Sequence, residues 1–166
     1  MGLLVVKSDF VGKYDLPKSI NDKIDAYIAE YEEKILTEML GDDLFTAFKT
    51  NVDSTIRKPV LQIYLDLYNP VTVEAWDCSL RSEGMKEMLL GFIFFHYVRD
   101  EPFKVGMNGA VVNQTETSTQ ANTSFLYTRY NEAVKNYNII LSYANDNRAA
   151  VYPTLKGRFK SFSSWV

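Results

Sequence analysis

Apolar residues recur at three- and four-residue spacing through the stretch from Ser82 to Arg99, which predicts an amphipathic helix. The positions that set this spacing are Met85, Met88, Leu89, Phe92, Ile93, Phe95 and Val98. From Leu89 onward the apolar residues spread around almost the whole helix, so we expect neighbouring elements or another subunit to bury it. Ser82 is a candidate N-terminal cap, and Asp100-Glu101-Pro102 should end the helix. The apolar run is too short, and too closely flanked by charges, to span a bilayer.

The same periodicity predicts four more helices and therefore a mainly α fold, a small helical bundle. The first begins after a cap-like Ser19–Asp22, its acidic run Glu30–Glu33 facing solvent, and ends at Gly41. A second, shorter helix opens at Asp42-Asp43. A third has Pro59 in its first turn and ends at Asn69-Pro70. The apolar positions of the third helix are Val60, Leu61, Tyr64, Leu65 and Tyr68. Those of the last are Leu126, Tyr130, Ala133, Val134, Tyr137, Ile140, Leu141 and Ala144.

Three segments lack helical periodicity within what we expect to be one domain spanning residues 1–166. Residues 1–18 read as an extended arm or edge strand anchored by Phe10 and Tyr14. The segment Val71–Cys78 reads as a connector with strand character and a buried Trp76. Residues 103–122 form a polar insert in which Asn108-Gly109 could turn a hairpin with arms Phe103–Met107 and Ala110–Thr115. This insert is either a surface loop or an arm that reaches a neighbouring molecule.

The segment 148–166 mixes cationic and aromatic residues beyond the last helix: Lys156, Arg158, Lys160, Phe159, Phe162 and Trp165. Exposed aromatic rings beside cations could stack on nucleic-acid bases. More often such a segment docks into a groove on its own chain or on a partner, and we expect docking here. Disorder is the third interpretation.

Composition adds limits on the chemistry. The 166 residues carry a net charge of −3, which argues against binding nucleic acid by neutralising phosphates. The single cysteine, Cys78, fits a reducing compartment, and the start of the sequence lacks the features of a signal peptide, so we expect a cytosolic product. His96, the only histidine, lies in the most apolar helix, where we expect a satisfied buried or interface imidazole. We therefore expect no enzyme, no cofactor and no metal site.

Four segments resemble the head–tail connector proteins of tailed bacteriophages, in particular those of phages infecting Bacteroides-like bacteria and of crAss-like phages. The segments are Tyr27–Leu44 (YIAEYEEKILTEMLGDDL), Ser82–Asp100 (SEGMKEMLLGFIFFHYVRD), Leu126–Tyr137 (LYTRYNEAVKNY) and Tyr152–Trp165 (YPTLKGRFKSFSSW). None is a catalytic signature; their order and the polar insert between them carry the resemblance. It implies a virion protein, assembled in the host cytoplasm, whose copies form a ring beneath the portal with the portal's twelve-fold symmetry.

The resemblance also implies partners and surfaces. The partners would be further copies of the chain, the portal protein, the next tail or neck ring, and packaged DNA that passes through the channel without sequence-specific binding; no membrane is involved. The central helix and the tyrosines would line subunit contacts, the insert would reach a neighbour, and the tail would dock on a partner. The implied interface residues are Val105, Met107, Val111, Val112, Asn113, Thr115, Arg158, Phe159, Phe162 and Trp165. The alternative is a non-viral cytosolic helical adaptor that binds proteins through a Tyr- and Phe-rich surface.

Overall fold

Five α-helices make up most of a computed structural model that describes residues 2–16, 23–75, 78–100, 103–106, 109–112, 124–147 and 149–162. The helices are α1 (Ile24–Leu40), α2 (Asp42–Asn51), α3 (Gln62–Tyr68), α4 (Met85–Asp100) and α5 (Ser124–Asp146). Three two-stranded antiparallel sheets accompany them: β1 (Val52–Asp53) with β2 (Lys58–Pro59), β3 (Thr72–Ala75) with β4 (Cys78–Arg81), and β5 (Phe103–Gly106) with β6 (Gly109–Val112). The prediction of a mainly α, small helical bundle is confirmed.

Helix α4 is the centre of the bundle, and the chain itself buries it. Its longest packing surface is against α5, and α1 covers a second side. Gly91 allows the close approach of α5, because a Cβ added there would lie 2.8 Å from the Cβ of Ala133. Burial extends to every residue of α4 from Met88 to Phe95. No second subunit is therefore needed to cover this helix, and the expectation that it lines subunit contacts is wrong.

The tyrosines belong to the same core. Of the 11 tyrosines, five are buried and the remaining six are partly buried and packed against the core. The buried ones are Tyr14, Tyr64, Tyr97, Tyr137 and Tyr152, and the others are Tyr27, Tyr31, Tyr68, Tyr127, Tyr130 and Tyr143. The five buried tyrosines therefore belong to the core of one subunit, and the role of the six partly buried ones in subunit contacts stays a prediction.

The N-terminal segment packs along the bundle without forming a strand. Residues Lys7–Asp9 and Gly12–Tyr14 form short 3-10 turns. Phe10 and Tyr14 are buried, which confirms them as anchors, but the expected edge strand is absent from the described residues 2–16. Its backbone is satisfied instead by Glu32 on α1, whose carboxylate accepts the N–H groups of Leu3, Leu4 and Val5 at 2.6, 2.5 and 3.2 Å. Glu32 is only 2% exposed, so its predicted place on a solvated face is wrong.

Helix ends follow the predicted signals in most places. Gly41 adopts φ 81° and its N–H donates to the Thr37 carbonyl at 2.8 Å, which closes α1 as expected. Asn69 ends α3. Ser82 does not cap α4: its side-chain oxygen accepts the Val71 N–H at 3.1 Å, and its own N–H donates to the Val71 carbonyl at 2.9 Å. The predicted cap at Ser19–Asp22 and the predicted burial of Trp76 lie outside the described residues.

The region before α3 differs from its prediction. Pro59 pairs with Val52 in the small β1–β2 sheet, and α3 begins only at Gln62. The Asn51 side chain explains this delay, since its oxygen accepts the N–H groups of Val60 and Leu61 at 3.1 and 2.8 Å. Val60 and Leu61 therefore lie outside the helix and are 62% and 53% exposed, whereas the expectation placed them on its apolar face.

Candidate interaction surfaces

The insert between α4 and α5 contains the predicted hairpin. Strands β5 and β6 pair antiparallel with Phe103 opposite Val112 and Gly106 opposite Gly109. The predicted turn at Asn108-Gly109 is wrong at Gly109, which is a paired strand residue, and Asn108 lies outside the described residues. The strands contact each other more than any other element of the described chain.

The hairpin accounts for three of the predicted interface residues. Val105 lies in β5, and Val111 and Val112 lie in β6, with Val105 opposite Ala110 and Lys104 opposite Val111. Met107, Asn113 and Thr115 are outside the described residues.

The C-terminal tail, residues 149–162, docks onto its own chain. Tyr152 is buried and its hydroxyl donates to the Ile63 carbonyl at 2.6 Å. Leu155 is buried, and the N–H of Lys156 donates to the Leu40 carbonyl at 3.3 Å. At Gly157 the tail lies so close to α1 that an added Cβ would overlap the Met39 carbonyl oxygen. The backbone of the tail and its residues Tyr152 and Leu155 thus dock on the chain itself, whereas docking of the aromatic residues Phe159, Phe162 and Trp165 on a partner stays a prediction.

Lys160 fixes the far end of the tail between α1 and α5. The Asn138 side chain accepts the Lys160 N–H and donates to the Lys160 carbonyl, both at 2.9 Å. The Lys160 ammonium lies 2.7 Å from the Glu38 carboxylate and 5.1 and 5.6 Å from the ring centres of Tyr137 and Phe92. A backbone pair, an ion pair and two cation–π contacts together give this residue one defined position.

The predicted interface residues of the tail flank this anchor and point away from the core. Phe159 and Phe162 are 60% and 58% exposed, and Arg158 is exposed as well. We call these three residues the tail face. Trp165 lies outside the described residues. The tail face thus presents two exposed rings and a cation on either side of the anchored Lys160.

A second apolar surface was missed by the sequence interpretation. Ile56, Val60, Leu61 and Ile63, which we call the aliphatic loop, are 65%, 62%, 53% and 39% exposed. The Asp53 carboxylate accepts the N–H groups of Thr55 and Ile56 at 2.7 and 3.2 Å, so the turn that carries Ile56 is held in place. Those hydrogen bonds keep the pKa of Asp53 below its ordinary value. The signal that could have revealed this surface is Asn51, whose side chain delays the helix.

An aromatic cleft of about 190 Å³ lies next to the anchored Lys160. Tyr31, Phe92, His96 and Tyr130 line it, and the imidazole of His96 stacks on Tyr31 with ring centres 4.1 Å apart. Burial, together with the charge of Arg99, lowers the pKa of His96 to about 4, so the imidazole is neutral at pH 7. Its Nδ1 is buried and has no hydrogen-bond partner in the described part of the chain, so the expected buried position is confirmed for this atom and its satisfaction, as at an interface, stays a prediction.

The described residues hold no cluster of three or more His, Cys, Asp or Glu side chains placed to bind a metal ion. None of the helices within the described ranges has the length and apolar character needed to cross a membrane. Comparison of the chain with protein-family models, with curated proteins and with solved structures gives no match.

Proposed function

We propose that this protein is a structural subunit of the head–tail connector of a tailed bacteriophage. Copies of the chain form a ring beneath the portal, extend the DNA channel and join the head to the next tail component. The observation that carries the proposal is the tail face: two exposed phenylalanines that flank the anchored Lys160. An exposed aromatic pair on a fixed support is typical of a protein–protein contact.

The hairpin is a second element that could serve a protein–protein contact. In the described part of the chain, strands β5 and β6 contact each other more than they contact the helices. The hairpin lies in the chain between α4 and α5, the two helices that pack most extensively against each other. Such a hairpin is suited to reach an adjacent subunit or the portal. Together the hairpin and the tail face supply unlike surfaces on one subunit, which a closed ring requires.

The segments that resemble connector proteins coincide with the elements that build these surfaces. The segment Ser82–Asp100 contains α4, and the segment Leu126–Tyr137 lies within α5, so the two frame the hairpin. The segment Tyr152–Trp165 contains the tail face. The net charge of −3 is compatible with a channel wall, because strong attraction for phosphate would hinder the movement of DNA.

Deletion of Gly106–Gln120 tests the proposal. A phage that lacks this gene is complemented with the wild-type chain, with the deletion, or with a chain in which the same residues are replaced by glycine and serine. We expect the deletion to leave the helical circular-dichroism spectrum unchanged and to abolish infectious particles. The length-matched replacement separates a need for this hairpin from a need for a spacer.

The outcomes also discriminate against a cytosolic adaptor. If the gene is dispensable for particle assembly, the connector proposal is wrong and the adaptor alternative gains support. If the wild-type gene is required but the deletion variant assembles and infects normally, the hairpin has no role in assembly and the proposed use of this element is wrong.

A further inference from the structure

The backbone of the tail is fixed at two points that lie close together in sequence. At the first point, Gly157 packs directly on α1, where an added Cβ would overlap the Met39 carbonyl oxygen. At the second, the Asn138 side chain on α5 accepts the Lys160 N–H and donates to the Lys160 carbonyl, both at 2.9 Å. Only two residues, both part of the tail face, lie between these fixed points.

The two bonds from Asn138 act on the peptide groups next to the tail face. The Lys160 N–H belongs to the peptide group that joins Phe159 to Lys160, and the Lys160 carbonyl belongs to the one that joins Lys160 to Ser161. Because each peptide group is planar, two bonds to one side chain fix the directions in which the chain enters and leaves Lys160. Phe159 is attached to the first of these groups, and Phe162 directly follows Ser161.

The Lys160 side chain adds a second restraint at the same position. Its ammonium lies 2.7 Å from the Glu38 carboxylate and over the rings of Tyr137 and Phe92. Tyr137 and Phe92 are 0% and 1% exposed, so the ammonium contacts fixed parts of the core. The Lys160 side chain is itself only 18% exposed, so its ion pair is less screened by water than one on the open surface.

We infer that Asn138 and Lys160 position the tail face for its contact with a partner. Their bonds order the backbone from Gly157 to Ser161 before a partner arrives, and a surface that is already ordered avoids the entropy cost of ordering on binding. Asn138 needs no contact with the partner, because it acts through the tail. This inference rests on the proposed function, in which the tail face is a protein–protein contact of the connector.

Asn138→Ala removes both backbone bonds and leaves every side chain of the tail face in place. Ordering one backbone residue changes an equilibrium constant by about five- to thirty-fold. We therefore expect a chain with Asn138→Ala to compete about tenfold less well than the wild type for places in the particle. The measurement supplies both chains in equal amounts during assembly, and mass spectrometry of purified particles gives the ratio of their peptides.

NMR relaxation of the isolated full-length chain measures the order of the tail without any partner. In the wild type, we expect the ¹⁵N heteronuclear NOE values of residues 158–161 to match those of α5. In Asn138→Ala they should fall to the values of a mobile segment, while the amide shifts of α1 and α4 stay unchanged. These unchanged shifts show that the variant is folded.

A second variant and its matched control test the side-chain restraint. Lys160→Met removes the ion pair with Glu38 and the cation–π contacts but keeps the Asn138 bonds, so the order of the tail should fall less than in Asn138→Ala. Lys156→Met is the control, because its ion pair with Asp43 joins side chains that are 67% and 64% exposed, and its loss should leave the tail ordered.

Two results would overturn the inference. One is an order of residues 158–161 that is the same in the wild type and in Asn138→Ala, whether both tails are ordered or both are mobile. The other is a mobile tail in Asn138→Ala together with a share of the particles equal to that of the wild type.

A chain with both Phe159→Ala and Phe162→Ala separates the inference from the proposed function, because it loses the rings and keeps the anchor. If this chain is excluded from particles while Asn138→Ala enters with a mobile tail, the positioning role is wrong and the connector function stands. If it enters as often as the wild type, the tail face makes no contact and the inference is wrong. If the wild-type chain is absent from particles, the connector function is wrong, and the NMR comparison still decides whether Asn138 orders the tail.

Discussion

The burial of Glu32 was not predicted by the sequence pattern, which placed this residue on a solvated helix face. Its neighbours Glu30 and Glu33 are exposed as expected, but Glu32 faces the N-terminal segment and accepts three of its backbone N–H groups. Buried backbone donors that lack a strand partner need an acceptor, and a carboxylate on α1 supplies it. Burial raises the pKa of Glu32 in spite of these bonds. The run of acidic letters gives no indication of this role, because the donors are 27 to 29 residues away in sequence.

Replacement of Glu32 by alanine should be strongly destabilising. Glu32→Ala leaves the N–H groups of Leu3, Leu4 and Val5 without their acceptor, and we expect the free energy of unfolding to fall by about 3 kcal/mol. Glu33→Ala is the matched control on the next position, where loss of an exposed carboxylate should change stability by about 0.5 kcal/mol or less. Urea unfolding followed by circular dichroism measures both, and equal effects would contradict the role assigned to Glu32.

His96 makes stability depend on pH through its burial. Its folded-state pKa of about 4 lies below the ordinary value of 6.5, so the unfolded chain binds a proton that the folded chain resists. The contribution of the neutral imidazole is complete above pH 6.5 and is lost as the pH falls toward 4. Because the ring is partly solvated, we expect a loss of about 1–2 kcal/mol rather than the full value of the shift.

A phenylalanine at position 96 isolates this contribution. His96→Phe keeps a flat ring against Tyr31 but cannot titrate, whereas the carboxylates common to both proteins titrate in each. The difference in unfolding free energy between wild type and variant should therefore be constant above about pH 6.5 and should shift against the wild type as the pH falls. A difference that is independent of pH down to about 4.5 would show that His96 is not held neutral by the fold.

At the scale of elements, hydrophobic periodicity predicted the helices whose position is set by the burial of an apolar face. Helices α1, α2, α4 and α5 follow their apolar spacing because each buries one continuous face or, for α4, every side from Met88 to Phe95. The start of α3 was wrong because local side-chain bonds from Asn51 overrode the preference of proline for a first helical turn. The docking site of the tail could not be read from the sequence, since it is formed by backbone contacts at Gly157 and Lys160 with distant elements.

Helices α4 and α5 pack closely at Gly91, where the Ala133 methyl group of α5 fills the space that a side chain on α4 would need. Gly91→Ala gains up to about 1 kcal/mol of helix propensity but places a methyl group 2.8 Å from Ala133, a strain of about 1–3 kcal/mol. We expect a net destabilisation of about 1 kcal/mol. Adding Ala133→Gly should restore most of the loss, because the space moves from one helix to the other. Chemical denaturation of the four proteins gives the cycle, and additive single effects would contradict close packing at this position.

At the scale of the whole molecule, the chain completes its own core and reserves other surfaces for contact. The over-apolar central helix suggested from sequence that identical copies complete one another, but α1, α5 and the tail already bury it. The candidate site could be predicted only in part: the hairpin and the tail face were found from composition, whereas the aliphatic loop depends on where α3 begins. Assembly, in our proposal, therefore uses the hairpin and the tail face rather than the core helix.

The most direct test of this proposal is a cryo-electron microscopy reconstruction of the chain mixed with a portal protein encoded in the same genome. We predict a ring with the portal's symmetry in which Phe159 and Phe162 lie in a contact between subunits and α4 remains inside each subunit. A portal that binds no copies of the chain, or bound copies whose tail faces are in solvent, would contradict the account.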